Sequence, residues 1–566
     1  MASPAPTQRA DLWKVFGLPE LAHLIYDVVH RRDRANLMQV CRRLFHSILP
    51  FVWEEVDSPD VLASMIPGVV IYFHTPEFKV MKLPGSLDLS RLSIYAPHVK
   101  RLTFRRVRIR AYEDWDRFLA CTRSVDLLPN LDAIYFPCPG TAGYGSGRVD
   151  TDSVNWAIAF LSTSLQTVAQ MPSKIPYAIQ YTRPSWVELN SFNRLMTSIA
   201  QKCPRVCSLG VLPVRVEFIP NGRVPDENLF ACNSPEIYPR FLKLGNLTSL
   251  LISAVLLSPE GLPLHFSLSR LESLSIVDQG ISRQQYRGRL HIPIQAFPAL
   301  KHLELNALTW STISSLCDAK PLLAGLQSVT MIHPHNPDRN LGEDSLEEFS
   351  NVIPVVATHS RVTTLALYDY GSLQLSPKTL NAWRSLLLVN LQLGWAYTYD
   401  RTFDALCSIL SCLPFLESLL LDRTQDDFEL KQMRKIVELL PRLRHIQIPV
   451  KWESITQLTR ADFTPCQSQS TSLLCVSSSF YQYTVTSQEV ARQIARYLSV
   501  LRLKAPVVCQ YIWDIYSYYP CDDDYIDEGP LKLINAELSR LWLGQYGLGA
   551  CGNQLGTRNK VPEQAT

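Results

Sequence analysis

One short template recurs along most of this 566-residue chain: apolar-x-x-apolar-x-apolar. It reads Val99-Lys-Arg-Leu102-Thr-Phe104, Leu131-Asp-Ala-Ile134-Tyr-Phe136 and Val206-Cys-Ser-Leu209-Gly-Val211. Further copies start at Leu247, Leu271, Leu300, Leu326, Val362, Leu388, Leu416 and Leu443, and Leu165-Gln-Thr-Val168 is a degenerate one. In the x-apolar-x-apolar part, alternate side chains face a core and those between face out, as in a strand. Pro97, Pro129, Pro204, Pro298, Pro414 and Pro441 lie just ahead of several copies. Proline there halts a helix and sets the chain to extend. Between copies, Phe403, Leu406, Ile409 and Leu410, and then Met433, Ile436, Val437 and Leu440, fall on single helical faces. A lone match would mean little; a series at mostly ~24–36 residues from Leu247 onward means an array of strand–helix units. The wider spacing before Leu247 points to insertions or a missed repeat.

The series resembles the leucine-rich repeat family. The fold class it implies is α/β: a helical N-terminus followed by a solenoid, with parallel strands inside and helices outside, over residues 96–545 including a C-terminal cap. Such arrays bind partners on the concave face. The outward strand positions expected there are Thr103, Glu272, Ser275, Lys301, His302, Glu304, Thr364, Glu417, Arg444 and Gln447, give or take register. Trp310 and Tyr368, just past strands, are candidate aromatic anchors. Lys100, Arg101, Arg105, Arg106, Arg108 and Arg110 form the densest basic stretch, either a solvated face or a receptor for an acidic or phosphorylated peptide. The candidate target-binding set is therefore Arg105, Arg108, Glu272, His302, Glu304, Trp310, Tyr368 and Arg444. Toward the C-terminus, Val490, Ile494, Ala495 and Leu498 predict one helix, and Leu533, Ile534, Leu538 and Leu541 another. A final imperfect repeat with a cap is expected here, then a polar, disordered tail over 546–566.

The first fifty residues follow a different pattern. After a polar stretch over 1–14, Leu21, Leu24, Ile25, Val28 and Val29 share one helical face. His30-Arg31-Arg32-Asp33 interrupts, and Asp33 suits an N-cap. Leu37, Val40, Cys41, Leu44, Phe45 and Ile48 form a second apolar face, with Pro50 ending that helix and Phe51-Val52-Trp53 closing the segment. Two helices of this size bury too little to stand alone. Either they dock a partner or they cap the open end of the array.

Residues 15–56 resemble an F-box: Leu18-Pro-Glu-Leu, Ile25, Asp33-Arg-Ala-Asn-Leu37, Val40-Cys-Arg-Arg-Leu44-Phe45 and Val52-Trp53. Phe45 stands where many members have Trp, and His30-Arg31-Arg32 is more basic than usual. The resemblance implies docking to a Skp-type adaptor, which links to a cullin scaffold and a ubiquitin-conjugating enzyme. Carried over by position, Leu18, Pro19, Leu21, Ile25, Leu37, Val40, Cys41 and Leu44 would shape or support that surface. The function implied is that of a substrate-recognition subunit of an SCF-type ubiquitin ligase, not itself an enzyme. The alternative is an interaction scaffold with no ubiquitin role. Residues 57–95 would join the two parts, by a rigid or a swinging connection.

Other chemistry finds little footing. A net charge of +3 with 19% charged residues gives no reason to expect a nucleic-acid or membrane-surface partner. No secretory signal or apolar run of ~20 residues is evident, so a cytoplasmic or nuclear location is expected. The 14 cysteines lie mostly in apolar contexts. Cys203 and Cys207 are the tightest pair, but no second pair completes a zinc site. Gly143-Tyr-Gly-Ser-Gly147 lacks the Lys-Ser/Thr of a phosphate loop, and His333-Pro-His335 lacks further ligands. Asp522-Asp523-Asp524 with Asp527 and Glu528 does not match a calcium loop. No cofactor is expected.

Overall fold

A computed structural model describes residues 24, 29, 31–75, 78–104, 109–136, 148–171, 185–214, 243–254, 268–277, 296–306, 308–332, 343–369, 377–395, 402–422, 427–466, 470–478, 487–511 and 529–546. Among these, the chain divides into two compact units, one reaching Leu300 and one running from Lys301.

Parallel strands form the spine of each unit. In the first they are β1 (Glu55–Val56), β2 (Arg101–Thr103), β3 (Ala133–Phe136), β4 (Thr167–Gln170), β5 (Ser208–Leu209), β6 (Ser249–Ser253) and β7 (Ser273–Val277), hydrogen-bonded in chain order. In the second they are β8 (His302–Asn306), β9 (Ser328–Ile332), β10 (Thr364–Asp369), β11 (Asn390–Trp395), β12 (Ser418–Asp422), β13 (His445–Gln447), β14 (Leu474–Ser478) and β15 (Val507–Tyr511), again in chain order. This is the leucine-rich repeat arrangement: each template contributes one strand, and each strand pairs with its sequence neighbours. The degenerate copy at Leu165 is a full member, since β4 pairs with both β3 and β5.

The register explains the template. Leu102, Ile134, Val168, Leu209, Leu250 and Leu274 align across the first unit, each no more than 2% exposed. Leu303, Val329, Leu365, Leu391, Leu419, Ile446, Val476 and Cys509 align across the second and are equally buried. A buried leucine stabilises by about 1.5–3 kcal/mol, so this column is the main source of cohesion.

Among the described residues, the helices of eight residues or more are α1 (Arg31–Val40), α2 (Arg42–Trp53), α3 (Trp115–Thr122), α4 (Thr151–Phe160), α5 (Leu189–Lys202), α6 (Trp310–Cys317), α7 (Glu343–His359), α8 (Pro377–Ser385), α9 (Thr402–Leu410), α10 (Leu430–Leu439), α11 (Gln488–Leu501) and α12 (Gly529–Tyr546). In α9, Leu406, Ile409 and Leu410 are buried, and in α10 Met433, Ile436 and Val437 are, matching the faces read from spacing. Helix starts follow the capping chemistry: the Asp150 carboxylate accepts from Ser153 N–H at 2.7 Å, and Ser487 Oγ from Val490 N–H at 3.3 Å.

Three boundaries differ from the sequence expectation. The parallel spine begins at Glu55, inside the segment assigned to the N-terminal motif, because α2 runs straight into β1. It also continues past the Leu443 template by two strands, β14 and β15, rather than one imperfect repeat. Finally, residues 57–95 are no simple tether. They hold a short helix, Pro59–Ala63, and an antiparallel pair, Val70–Thr75 with Phe78–Lys82.

Candidate interaction surfaces

Helices α1 and α2 pack on each other, and α2 also meets the turn Ala96–His98. Leu44, Ile48 and Leu49 are the buried face of α2. The Trp53 ring centroid is 4.7 Å from that of Tyr95, and Phe45 meets Tyr95 edge-on at 6.4 Å. Just beyond the helix, Lys100 and Arg101 N–H both donate to Glu54 O, at 3.0 and 2.9 Å. The Glu54 carboxylate also pairs with Lys100 at 3.7 Å and Arg101 at 3.3 Å. The helical pair is therefore tied to the first repeats by packing and main-chain bonds, not hung on a swinging link.

This geometry sorts the candidate adaptor residues. Leu44 is internal, buried by the chain's own packing, so it supports a surface rather than forming one. Cys41 is half-buried and caps α2, with Leu44 N–H directed at its Sγ at 3.5 Å. Leu37 is half-buried. Val40 is 64% exposed and Leu24 56%. Leu18, Pro19, Leu21 and Ile25 lie outside the described residues.

The candidate target residues also separate. On the sheet face opposite the buried column, Glu304 is half-buried in mid-strand, and His302 is exposed at the start of β8. Glu272 is half-buried just before β7. Arg444 is exposed and pairs with Glu417 at 3.4 Å. Two aromatic anchors are corrected. Trp310 is the first residue of α6, which Thr309 caps, and its side chain is buried. Tyr368 does sit on the outward face but is buried, its ring lying against the neighbouring strand at Gly394. A side chain there has no room: a Cβ on Gly394 would collide with Cδ1 and Cε1 of the Tyr368 ring. Arg105 and Arg108 lie outside the described residues, as do Gly143–Gly147, His333, His335 and the acidic run at 522–528.

No family model matches the chain, and no curated protein matches it. Among solved structures it is similar to TLR13 in the crystal structure of a TLR13–ssRNA13 complex, at 13% identity and a TM-score of 0.25. The likeness covers 66% of this chain and 43% of that one, so the chain matches less than half of the TLR13 chain. The repeat fold rests on the chain's own ladder and register, not on that likeness.

The outward face carries a feature that residue spacing did not reveal. Along the first outward column of β8–β13 stand His302, Ser328, Thr364, Asn390, Ser418 and His445. Asn390 Nδ2 donates to Thr364 Oγ1 at 3.1 Å. His445 is buried between Ser418 Oγ, 3.3 Å from Nδ1, and Ser477 Oγ, 3.0 Å from Nε2. A neutral imidazole donates from one nitrogen and accepts at the other, and a hydroxyl can do either, so the trio satisfies itself without charge. Burial pushes the His445 pKa down to about 4, which keeps it neutral. Thr330, Gln392, Gln447 and Ser477, in the second column, are buried although outward, because adjacent strands lie only ~4.8 Å apart and shield each other. From β9 to β13 the first outward column is neutral and polar, while the second interleaves Ala366 and Leu420 with its polar residues.

Among the described residues, no cluster of His, Cys, Asp or Glu has metal-holding geometry. Cys203 is buried and its thiol is pushed up to about 12 by desolvation, and Cys317 behaves alike. Such thiols are poor nucleophiles. No described helix is long and apolar enough to cross a membrane.

Proposed function

We propose that this chain is a non-enzymatic substrate-recognition subunit of an SCF-type ubiquitin ligase. Its N-terminal helices dock a Skp-type adaptor and through it a cullin scaffold, and its repeats hold a target protein. Ubiquitin transfer is then promoted by proximity, with the chemistry supplied by other subunits. The observation that carries this reading is the divided character of the helical pair. The α2 face of Leu44, Ile48 and Leu49 is spent inside the chain, while Val40 and Leu24 keep apolar surface in solvent. A partner helix gains by covering such side chains. The F-box-like residue pattern names the partner, and the tie through Glu54 and Trp53 gives the docked adaptor a fixed bearing on the repeats.

The alternative is a repeat scaffold without a ubiquitin role, its helices only shielding the array's end. Burial of Leu44 favours that reading for α2, though not for α1. Capture of a purified Skp-type adaptor by the full chain separates them. Binding by the parent that is lost in Val40→Asp/Ile25→Asp, with circular dichroism unchanged, supports the ligase reading. Absence of binding by the parent sinks it and leaves the scaffold.

A further inference from the structure

We infer that the strand-entry edge of the second unit is a docking ridge for an extended partner segment in which bulky apolar residues are flanked by carboxylates. The inference rests on the target-binding half of the proposed function and is independent of the adaptor half. The ridge is set by main-chain bonds. Val389 N–H donates to Thr363 O at 2.8 Å, Glu417 N–H to Val389 O at 2.8 Å, and Arg444 N–H to Glu417 O at 2.7 Å. These bonds hold successive repeats about 4.8 Å apart. Two residues ahead of each rung stand Arg361, Leu387, Phe415 and Arg442, so the four side chains form one row across the edge.

All four are exposed, Leu387 at 63% and Phe415 at 41%. The next residue in each repeat, Val362, Leu388, Leu416 or Leu443, is at most 1% exposed. The core is thus filled from the adjacent position, and bulk at Leu387 and Phe415 adds nothing to it. Earlier repeats have Asn246, Arg270, Ala299 and Gly325 at the equivalent place, so the large apolar pair is local. The Arg442 guanidinium lies 4.8 Å from the centroid of the Phe415 ring, which fixes the ring and places a cation at one end of the row. Arg361 is the cation at the other end. Behind the row Arg444 pairs with Glu417 at 3.4 Å, so that carboxylate does not offset the two end cations.

Charge complementarity selects the occupant. The row spans three strand spacings, about 14 Å, which an extended chain covers in about four residues. An acidic residue, two or three bulky apolar residues and a second acidic residue would match it end to end. Leucine and phenylalanine give an apolar centre, and the guanidiniums bind carboxylates with paired hydrogen bonds.

A displayed library of random short peptides, selected on the full-length protein, tests this directly. Selected peptides are then measured by fluorescence polarisation against the parent, Leu387→Ser, Phe415→Ala, Arg361→Glu/Arg442→Glu, and a charge reversal on the exposed face of α10, Lys435→Glu, as control. The expected result is enrichment of the acidic–apolar–acidic pattern, about tenfold weaker binding to Phe415→Ala, a larger loss with the charge reversal, and weakening by salt. Lys435→Glu should bind as the parent does, and adaptor capture should be unchanged throughout. Enrichment of another pattern, affinity indifferent to the ridge variants, or equal loss in Lys435→Glu overturns the inference. So does a ridge whose substitutions abolish self-association of the parent, since its occupant is then a second copy. None of these outcomes touches adaptor binding, so the two halves of the functional reading fail separately.

Discussion

Arg502 shows how one side chain can close a helix end. It is buried, and its Nη2 donates to Leu443 O at 2.8 Å and Leu440 O at 3.4 Å, with Nη1 3.3 Å from Pro441 O. These carbonyls follow α10, whose last turn leaves acceptors without helical partners and a partial negative charge. Arg502→Met should therefore cost about 2–4 kcal/mol, read as a lower urea midpoint at unchanged slope. His445 makes a second prediction. Its pKa in the fold, about 4, lies below the ordinary 6.5, so on acidification the unfolded chain takes the proton first. The stability it contributes is full above about pH 6.5 and is lost as pH falls toward 4, by at most about 3 kcal/mol. His445→Asn should flatten the stability profile in that window; an unchanged profile would refute this account. Gly394 provides a third. Gly394→Ala should lose about 1–3 kcal/mol because the Tyr368 ring must move, and Tyr368→Ala should relieve most of that loss in the double variant.

At the scale of elements, α1 is mostly polar and α2 mostly apolar. Leu44 belongs to the buried face of α2, so Leu44→Ala should destabilise the first unit by about 2–4 kcal/mol. Val40→Asp, at an exposed site, should leave thermal stability within about 0.5 kcal/mol while removing adaptor capture. Differential scanning calorimetry and adaptor pull-down on the same two proteins check both. Equal loss of stability would show that α1 is structural too. Helical periodicity reads Asp33 to Ile48 as one helix ended by Pro50, whereas the chain breaks at Cys41, whose extended backbone caps α2, and α2 continues through Pro50 to Trp53. The first expected helix, around Leu21–Val29, lies almost wholly outside the described residues.

Across the whole molecule, the N-terminal helices and the Leu387–Phe415 ridge lie in different compact units. Variants at one should leave binding at the other unchanged, so the double variant Val40→Asp/Phe415→Ala should show in each assay only the loss of the corresponding single variant. The ends of the array were the least legible part. Strand β1 is only Glu55–Val56, too short to carry a template, and β15 reads Val507-Val508-Cys509 without the leading leucine. Terminal repeats pack on one neighbour instead of two, so their sequences are freer.

By itself the sequence determined the repeat architecture, the strand positions and the inward column, because a period-two pattern repeated at repeat length admits one solution: leucines such as Leu303, Leu391 and Leu419 must stack on the same side. It also marked the stretch from Asp33 to Ile48 as helical, but not its break at Cys41. Only the tertiary structure decided which outward residues are accessible. Trp310 and Tyr368 are buried while Leu387 and Phe415 are exposed, although both pairs are aromatic or aliphatic and both stand beside strands. Exposure depends on what lies across the neighbouring rung, a glycine under Tyr368 or solvent beyond Leu387, and that neighbour is many residues away in sequence.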